Sequence, residues 1–161
     1  MKPTLFPIDR DGPGRLATMA CPRGGDWLAD EMTALRAEGV DVLVCALTDS
    51  EVAEQQVTAE PQLAAQAGLT YIAFPITGSG VPKVPALTDL VGELEEILKL
   101  GRFVVVHCLA GVGRSSLIAG AVLVHEGLDP AEAWNRIETA RGRPVPDTEE
   151  QRMWLARFAG E

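Results

Sequence analysis

Cysteine is scarce in this chain, whose 161 residues contain three: Cys21, Cys45 and Cys108. An odd number without paired spacing argues against a disulfide scaffold and indicates a reducing compartment. Histidine is scarcer still, with two residues, and no second metal ligand stands at a useful spacing from His125. The sequence therefore predicts neither a disulfide framework nor a metal site.

Long apolar runs and an excess of basic residues are also missing. No stretch approaches the roughly 20 apolar residues that a membrane span requires, and no apolar leader follows a charged start. Lys and Arg together number 14 against 23 Asp and Glu, which gives a formal net charge of −9. An acidic surface repels nucleic acid and anionic membranes. We therefore expect a soluble, cytoplasmic protein that binds neither; the sequence leaves its oligomeric state open.

The order of apolar patterns predicts an α/β fold. The length suits one domain over residues 1–161, and no repeat, low-complexity tract or linker marks a second. Strand patterns at 15–20, 40–47, 69–74 and 102–107 alternate with helical patterns at 26–38, 59–67, 86–100, 114–126, 130–140 and 148–159. Alternation of this kind predicts a mostly parallel sheet of about four to five strands with helices on both faces. Ligands bind such sheets beyond the carboxyl ends of the strands.

One of these strand ends carries an unusual run, HCLAGVGRSS, at residues 107–116. Five residues separate the thiol of Cys108 from the guanidinium of Arg114, and two of the five are glycines. A loop of this composition can turn its backbone N–H groups toward one point and bind an oxyanion there. Arg114 adds a planar guanidinium that grips two phosphate oxygens at once. The predicted phosphate-binding residues are Leu109, Ala110, Gly111, Val112, Gly113 and Arg114.

The same surroundings favour the ionised form of the Cys108 thiol. Cys108 would lie among N–H dipoles, at the start of the helix predicted from Arg114, and beside a permanent cation. A thiolate there should attack phosphorus and form a cysteinyl-phosphate. Because the loop itself neutralises the phosphate charge, neither a metal nor a cofactor is expected.

This run resembles the signature His-Cys-x5-Arg-Ser/Thr of the cysteine-dependent protein tyrosine and dual-specificity phosphatases, and the chain length is similar to that of their small bacterial-type members. The resemblance implies a phosphatase-type phosphate-binding loop and a protein-tyrosine or dual-specificity phosphatase acting on phosphorylated protein or peptide. It implies that Cys108 is the nucleophile and that Arg114 binds the phosphoryl group. It further implies that Ser115 assists the thiolate as leaving group and that His107 holds the loop by hydrogen bonds.

The chain departs from that family at the general acid. In small bacterial members an aspartate on a mobile loop protonates the leaving oxygen, and the matching stretch here, FPITGSGVP at 74–82, has Gly78 at that position. Asp49 and Asp147 are alternative acids; the competing interpretation is that each caps the helical turn after it. A phenol leaves with less need of a proton, which favours phosphotyrosine as substrate. The alternative function is a phosphate-recognising binding module with weak or lost catalysis.

Two further residues have roles implied only by the resemblance. Several family members carry a glutamine that positions the hydrolytic water, and Gln151 stands in the corresponding segment; otherwise it is a solvated residue of the first helical turn. Some members keep a second cysteine behind the nucleophile, and Cys45 matches it. A thiolate such as that of Cys108 oxidises to a sulfenic acid, which Cys45 could trap as a reversible disulfide. Otherwise Cys45 is a small core hydrophobe.

Overall fold

The computed structural model describes residues 2–78 and 80–160, and its centre is a five-stranded sheet. In the order β1–β2–β5–β3–β4, strand β1 runs antiparallel to β2 and all other neighbours are parallel. The strands are β1 (Phe6–Pro7), β2 (Arg15–Met19), β3 (Val42–Cys45), β4 (Thr70–Ala73) and β5 (Phe103–His107). Strand β5, which leads into the unusual run, lies in the middle of the sheet.

Helices cover both faces of this sheet. They are α1 (Leu28–Ala37), α2 (Asp49–Glu54), α3 (Glu60–Ala67), α4 (Val84–Lys99), α5 (Arg114–His125), α6 (Pro130–Arg141) and α7 (Glu149–Ala159). Apolar residues of α1 and α3 pack on one face of the sheet, and those of α4, α5, α6 and α7 pack on the other. Because both faces are covered, every residue of β5 is buried. The predicted α/β fold with a mostly parallel sheet is confirmed.

The differences between the predicted and observed elements have local causes. Strand β1 and helix α2 were not predicted, and both are short. Strand β1 has two residues, one of them Pro7, and a proline in a strand is tolerated at an edge; α2 has six residues. The predicted strands and helices otherwise lie within a few residues of the observed ones, and α3 ends at Gly68, whose φ of +91° is left-handed. Glycine thus permits the left-handed backbone that ends this helix.

Helix α5 is the apolar centre of the second layer. Ten of its residues, from Arg114 to Leu123, are buried. A Cβ at Gly120 would lie 2.9 Å from Cδ2 of Leu155, so glycine lets α7 pack close to α5. The loop before α5 is therefore held between a central strand and a buried helix. Within residues 2–78 and 80–160, no helix combines the length and hydrophobicity that crossing a membrane demands.

Candidate active site

The nucleophile candidate lies directly after the central strand β5. Cys108 is 2% exposed, and its Sγ is 3.2 Å from Oγ of Ser115 in the first turn of α5. Ser115 is itself completely buried. At this distance the serine hydroxyl can donate a hydrogen bond to a thiolate. The structure thus brings together the two residues that the resemblance assigns to attack and to leaving-group assistance.

Two neighbours hold the first peptide groups of the loop from outside. Nδ1 of His107 lies 3.3 Å from the carbonyl oxygen of Cys108, and the backbone N–H of Cys21, just beyond β2, donates to the carbonyl of Leu109 at 3.0 Å. In a planar trans peptide the C=O and the following N–H point in opposite directions. With these carbonyls held outward, the N–H groups of Leu109 and Ala110 face the inside of the loop.

Arg141, at the end of α6, holds the next two peptide groups in the same way. Its Nε donates to the carbonyl of Gly111 at 3.1 Å and its Nη2 to that of Ala110 at 3.2 Å. The N–H groups that follow, those of Gly111 and Val112, therefore also face inward. No hydrogen bond formed within residues 2–78 and 80–160 uses the backbone N–H groups of residues 109–113. The amides needed for an oxyanion are available.

Gly111 is required by this arrangement. Its φ is +74°, in the left-handed region, and a Cβ there would lie 2.8 Å from the carbonyl carbon of Met19 in β2. A side chain would thus be strained by the backbone angle and would collide with the neighbouring strand. The glycine predicted to permit this loop conformation is confirmed in that structural role.

The guanidinium of Arg114 is fixed by two protein partners. Nη1 and Nη2 donate to the two carboxylate oxygens of Glu51 at 2.7 and 3.0 Å, and Nη1 also donates to the carbonyl of Ile76 at 2.8 Å. Among the described residues no partner takes the Nε–H or the second Nη2–H. Those two N–H groups form one edge of the planar guanidinium, the edge that can take two oxygens of a phosphate.

Glu51 was missed by the sequence analysis, which singled out its neighbour Asp49. The hydrogen bond from Arg114 lowers the pKa of Glu51 to about 2, against burial, which raises it, and Thr48 adds to the lowering. Glu51 is therefore ionised at neutral pH. Its other role is local: with Thr48 it forms a capping box at the start of α2. The T-x-x-E spacing was the available signal for the cap, but not for the partner across the site.

The two acid candidates differ in position, and the capping interpretation is wrong for both. Thr48 caps α2 and Thr148 caps α7. Both aspartates are exposed, and Asp49 lies in the first turn of α2. Asp147 lies against the loop, so that a Cβ on Gly113 would overlap its Oδ2. Of the two aspartates, Asp147 is the one whose carboxylate the structure places against the phosphate loop.

Gln151 is completely buried, so the interpretation as a solvated first-turn residue is wrong. Its Oε1 accepts from the backbone N–H of Asp147 at 3.2 Å, and its Nε2 donates to the carbonyl of Gly80 at 3.3 Å. It also borders the phosphate loop, since a Cβ on Gly113 would lie 2.9 Å from Oε1. Gln151 thus joins the 74–82 stretch to the turn that carries Asp147.

A buried ion pair lies behind the loop. Nε2 of His107 is 2.8 Å from Oε2 of Glu60, and both side chains are 0% exposed. Both ring nitrogens face oxygen acceptors, Glu60 and the Cys108 carbonyl, which fits an imidazolium that donates from both. Burial lowers the pKa of His107, but the hydrogen bonds to Cys45 and Glu60 outweigh it and raise the pKa. Nothing in the sequence around Glu60 signals a buried carboxylate.

Cys45 belongs to this buried group. It is 1% exposed, pairs in register with His107 across β3 and β5, and its Sγ lies within 4.8 Å of ligand atoms of His107 and Glu60. Its side chain packs in the layer of α1 and α3, whereas Cys108 packs in the opposite layer. The structure thus places the Cys45 thiol beside His107; the disulfide with Cys108 stays a prediction.

The chain is similar to one described protein family and to curated proteins. A family model described as "Polymorphic toxin system, DSP-PTPase phosphatase" matches residues 17–128. Cyclin-dependent kinase inhibitor 3 of Rattus norvegicus is 27% identical over 126 residues, which cover 77% of this chain and 59% of that protein. The chain therefore corresponds to about three fifths of the length of that curated relative.

Two solved structures share the fold over nearly their whole length. The kinase associated phosphatase KAP, with its catalytic-site cysteine replaced by serine, superposes with a TM-score of 0.91 at 21% identity and covers 99% of this chain and 96% of its own. Tk-PTP in the active form gives 0.82 at 26% identity, covering 100% and 99%. The resemblance seen in the sequence is confirmed, and the chain belongs to the DSP-PTPase phosphatase family of polymorphic toxin systems.

Proposed function

We propose that this chain hydrolyses phosphate monoesters of phosphorylated proteins, phosphotyrosine foremost, through a cysteinyl-phosphate on Cys108. The observation that carries the proposal is the loop of inward-facing amides above Cys108, completed by the unpartnered edge of the Arg114 guanidinium. We expect it to act as one domain in a reducing cytoplasm, on protein rather than on nucleic acid or membranes.

In the first step the phosphoryl dianion is held by the loop amides and by Nε–H and Nη2–H of Arg114. The Cys108 thiolate attacks phosphorus, the S–P bond forms, and the bond to the leaving oxygen breaks. The donors are already in place before the reaction, so charge that develops on the phosphoryl oxygens is stabilised without rearrangement. Asp147, beside Gly113, supplies the proton to the leaving oxygen.

In the second step water attacks the cysteinyl-phosphate and the S–P bond breaks. Ser115, whose Oγ is 3.2 Å from Sγ, donates a hydrogen bond to the departing thiolate. Asp147, now a carboxylate, takes a proton from the attacking water, and Gln151 orients that water beside Gly113. Phosphate leaves and the thiolate is restored. If Cys108 is oxidised to a sulfenic acid, Cys45 would have to move from its place beside His107 to form the protective disulfide.

One observation favours a second candidate, a phosphate-recognising module with weak or lost catalysis. Gly78 stands where small bacterial members of the family carry the acid, and it is exposed; among the described residues, its chain neighbours aside, no atom lies within 4 Å of the place where a Cβ would be. A module of this kind would keep the loop and Arg114 and bind phosphopeptide without turning it over. We favour catalysis because the Asp147 carboxylate lies at the loop and can take the place of the acid that is missing at position 78.

Turnover of para-nitrophenyl phosphate and of a phosphotyrosine peptide decides between the two. We expect phosphate release that disappears in Cys108→Ser, while the variant still binds the phosphopeptide. Binding by both proteins with no thiol-dependent release between pH 5 and 8 would instead establish the binding module. Failure of the wild-type protein to bind phosphate at all would refute both functions.

A further inference from the structure

We propose that Arg141, stacked on Phe6, is a positioning residue for phosphate binding. This inference rests on the proposed function, because it concerns how the loop is made ready for the phosphoryl group. Arg141 donates to the carbonyls of Gly111 and Ala110 at 3.1 and 3.2 Å from the outer side of the loop. It therefore acts on the ligand through the backbone and does not touch it.

The two hydrogen bonds fix the direction of two peptide planes. Each held carbonyl belongs to the same plane as the next N–H, so Arg141 orients the amides of Gly111 and Val112 into the loop. Gly111 is the residue of the loop with a left-handed φ, and glycine has more backbone conformations open to it than any other residue. The two hydrogen bonds from Arg141 thus restrain the loop at the residue whose backbone is otherwise the most free to change conformation.

The Arg141 guanidinium is itself held by stacking on the Phe6 ring. Its Cζ lies 4.1 Å from the centre of the Phe6 ring, in the geometry of a cation–π contact. Phe6 belongs to the short edge strand β1, which pairs with β2 through Phe6 and Thr18. A planar guanidinium can stack on a ring and donate to two carbonyls at the same time, whereas a lysine ammonium has no planar fork to do so.

Neither partner belongs to the matched family segment. The family model covers residues 17–128, and Phe6 precedes that range while Arg141 follows it. The loop sequence alone therefore does not contain the groups that orient its central amides. Two segments far apart in sequence supply them, and the α6 helix end and the β1 strand meet at this point.

The experiment measures binding of inorganic phosphate by calorimetry and the KM and kcat for para-nitrophenyl phosphate. The variants are Arg141→Met and Arg141→Lys, with Arg143→Met as matched control, since Arg143 is exposed two residues later. Misplacement of catalytic groups by about 1 Å costs roughly a hundredfold. We expect the phosphate Kd and the KM to rise about tenfold to a hundredfold in Arg141→Met, with a smaller fall in kcat and little rescue by lysine.

Phe6→Leu supplies the second arm, because leucine keeps an apolar side chain without a ring face. We expect a smaller rise in phosphate Kd, and no further rise when Phe6→Leu is added to Arg141→Met. Phosphate Kd values equal to that of Arg143→Met in both Arg141 variants would overturn the inference. If Arg141→Met fails to fold, Arg141→Lys and Phe6→Leu decide it alone. Failure of the wild-type protein to bind phosphate would instead count against the proposed function.

Discussion

The 107–116 loop and the 74–82 stretch face the same site, but they differ in how firmly they are determined. The first is clamped at successive carbonyls, and its arginine is fixed by Glu51 and Ile76. The second carries Gly78, which is exposed and stands where the resemblance places the acid. The groups that bind phosphate and the group that donates the proton therefore lie on separate segments of the chain. A substitution that removes the acid leaves the phosphate-binding loop intact.

The contrast has a consequence for substrate choice. A site with a complete oxyanion loop and a displaced acid favours leaving groups that depart without much proton transfer. Phenols meet that condition better than alkyl alcohols, and general acid catalysis is worth about 10² to 10⁴ in rate. We therefore expect phosphotyrosine to be hydrolysed faster than phosphoserine. The ratio of the two rates should grow when the general acid is removed.

Arg114→Lys should have the largest effect, because it damages the well-determined segment. The Arg114 guanidinium binds Glu51 with one edge and leaves a second edge for phosphate. A lysine ammonium has no such pair of edges. Removal of one preorganised oxyanion donor costs about 10² to 10³ in kcat. We expect a loss of about 10³-fold in kcat/KM for para-nitrophenyl phosphate. Arg136→Lys, on α6 in an ion pair with Glu132 and outside the phosphate loop, should change little; equal losses in both would contradict this assignment.

Asp147→Asn should have the next largest effect if the acid has moved to the turn before α7. We expect turnover of an alkyl phosphate to fall about 10²-fold, with a much smaller fall for para-nitrophenyl phosphate. Asp49→Asn is the matched control, and we expect both of its rates to stay near those of the wild type. Loss of alkyl phosphate turnover in Asp49→Asn alone would move the acid to α2.

Gly78→Asp tests whether the weaker segment can be completed. Apart from its chain neighbours, no described residue has an atom within 4 Å of the place of the new Cβ, so the aspartate should fit without disturbing the loop. Added to Asp147→Asn, Gly78→Asp should raise the rate of alkyl phosphate turnover about tenfold above that of Asp147→Asn alone. Gly78→Asn has the same shape but no proton to donate, and it should restore nothing. Equal rates in the two Gly78 variants would show that a carboxyl there does not serve as the acid.

Glu51→Gln should affect stability at neutral pH more than turnover. The pKa of Glu51 is lowered from 4.5 to about 2. A lowered pKa stabilises the folded state fully above pH 4.5, and this contribution is lost as the pH falls toward 2. Urea unfolding at several pH values should therefore show the variant less stable by about 1 to 3 kcal/mol at neutral pH.

The difference between Glu51→Gln and the wild type should shrink as the pH falls from 4.5 toward 2. Glu132→Gln removes a carboxylate whose side chain is 47% exposed and should show almost no difference at any pH. A stability gap for Glu51→Gln that stays constant across this range would contradict the assigned ion pair.

The sequence predicted the parts of the fold that depend on local patterns. Strand β5 and helix α5 follow from an apolar run, a glycine loop and a second apolar run, and Cys108 lies where a parallel sheet binds ligands. The resemblance supplied Arg114 and Ser115, and the structure brings Ser115 to the thiol. Such features are fixed by neighbours within a few residues.

The residues that the sequence did not reveal are those whose roles depend on tertiary contacts. Glu51 is 63 positions from Arg114, and Glu60 is 47 positions from His107. Each is an ordinary acidic residue at the start of a helix, where charge near the N-terminus is expected for helical reasons alone. Arg141 is likewise an ordinary helix-end arginine until α6 is packed beside the loop.

Rapid quenching of the wild-type protein during turnover in denaturant at alkaline pH, followed by mass spectrometry of the peptide that contains residue 108, tests the central claim most directly. We expect that peptide to carry one phosphoryl group that is absent from Cys108→Ser. Phosphate release without any phosphoryl group on the peptide, or a phosphoryl group on another residue, would contradict the account.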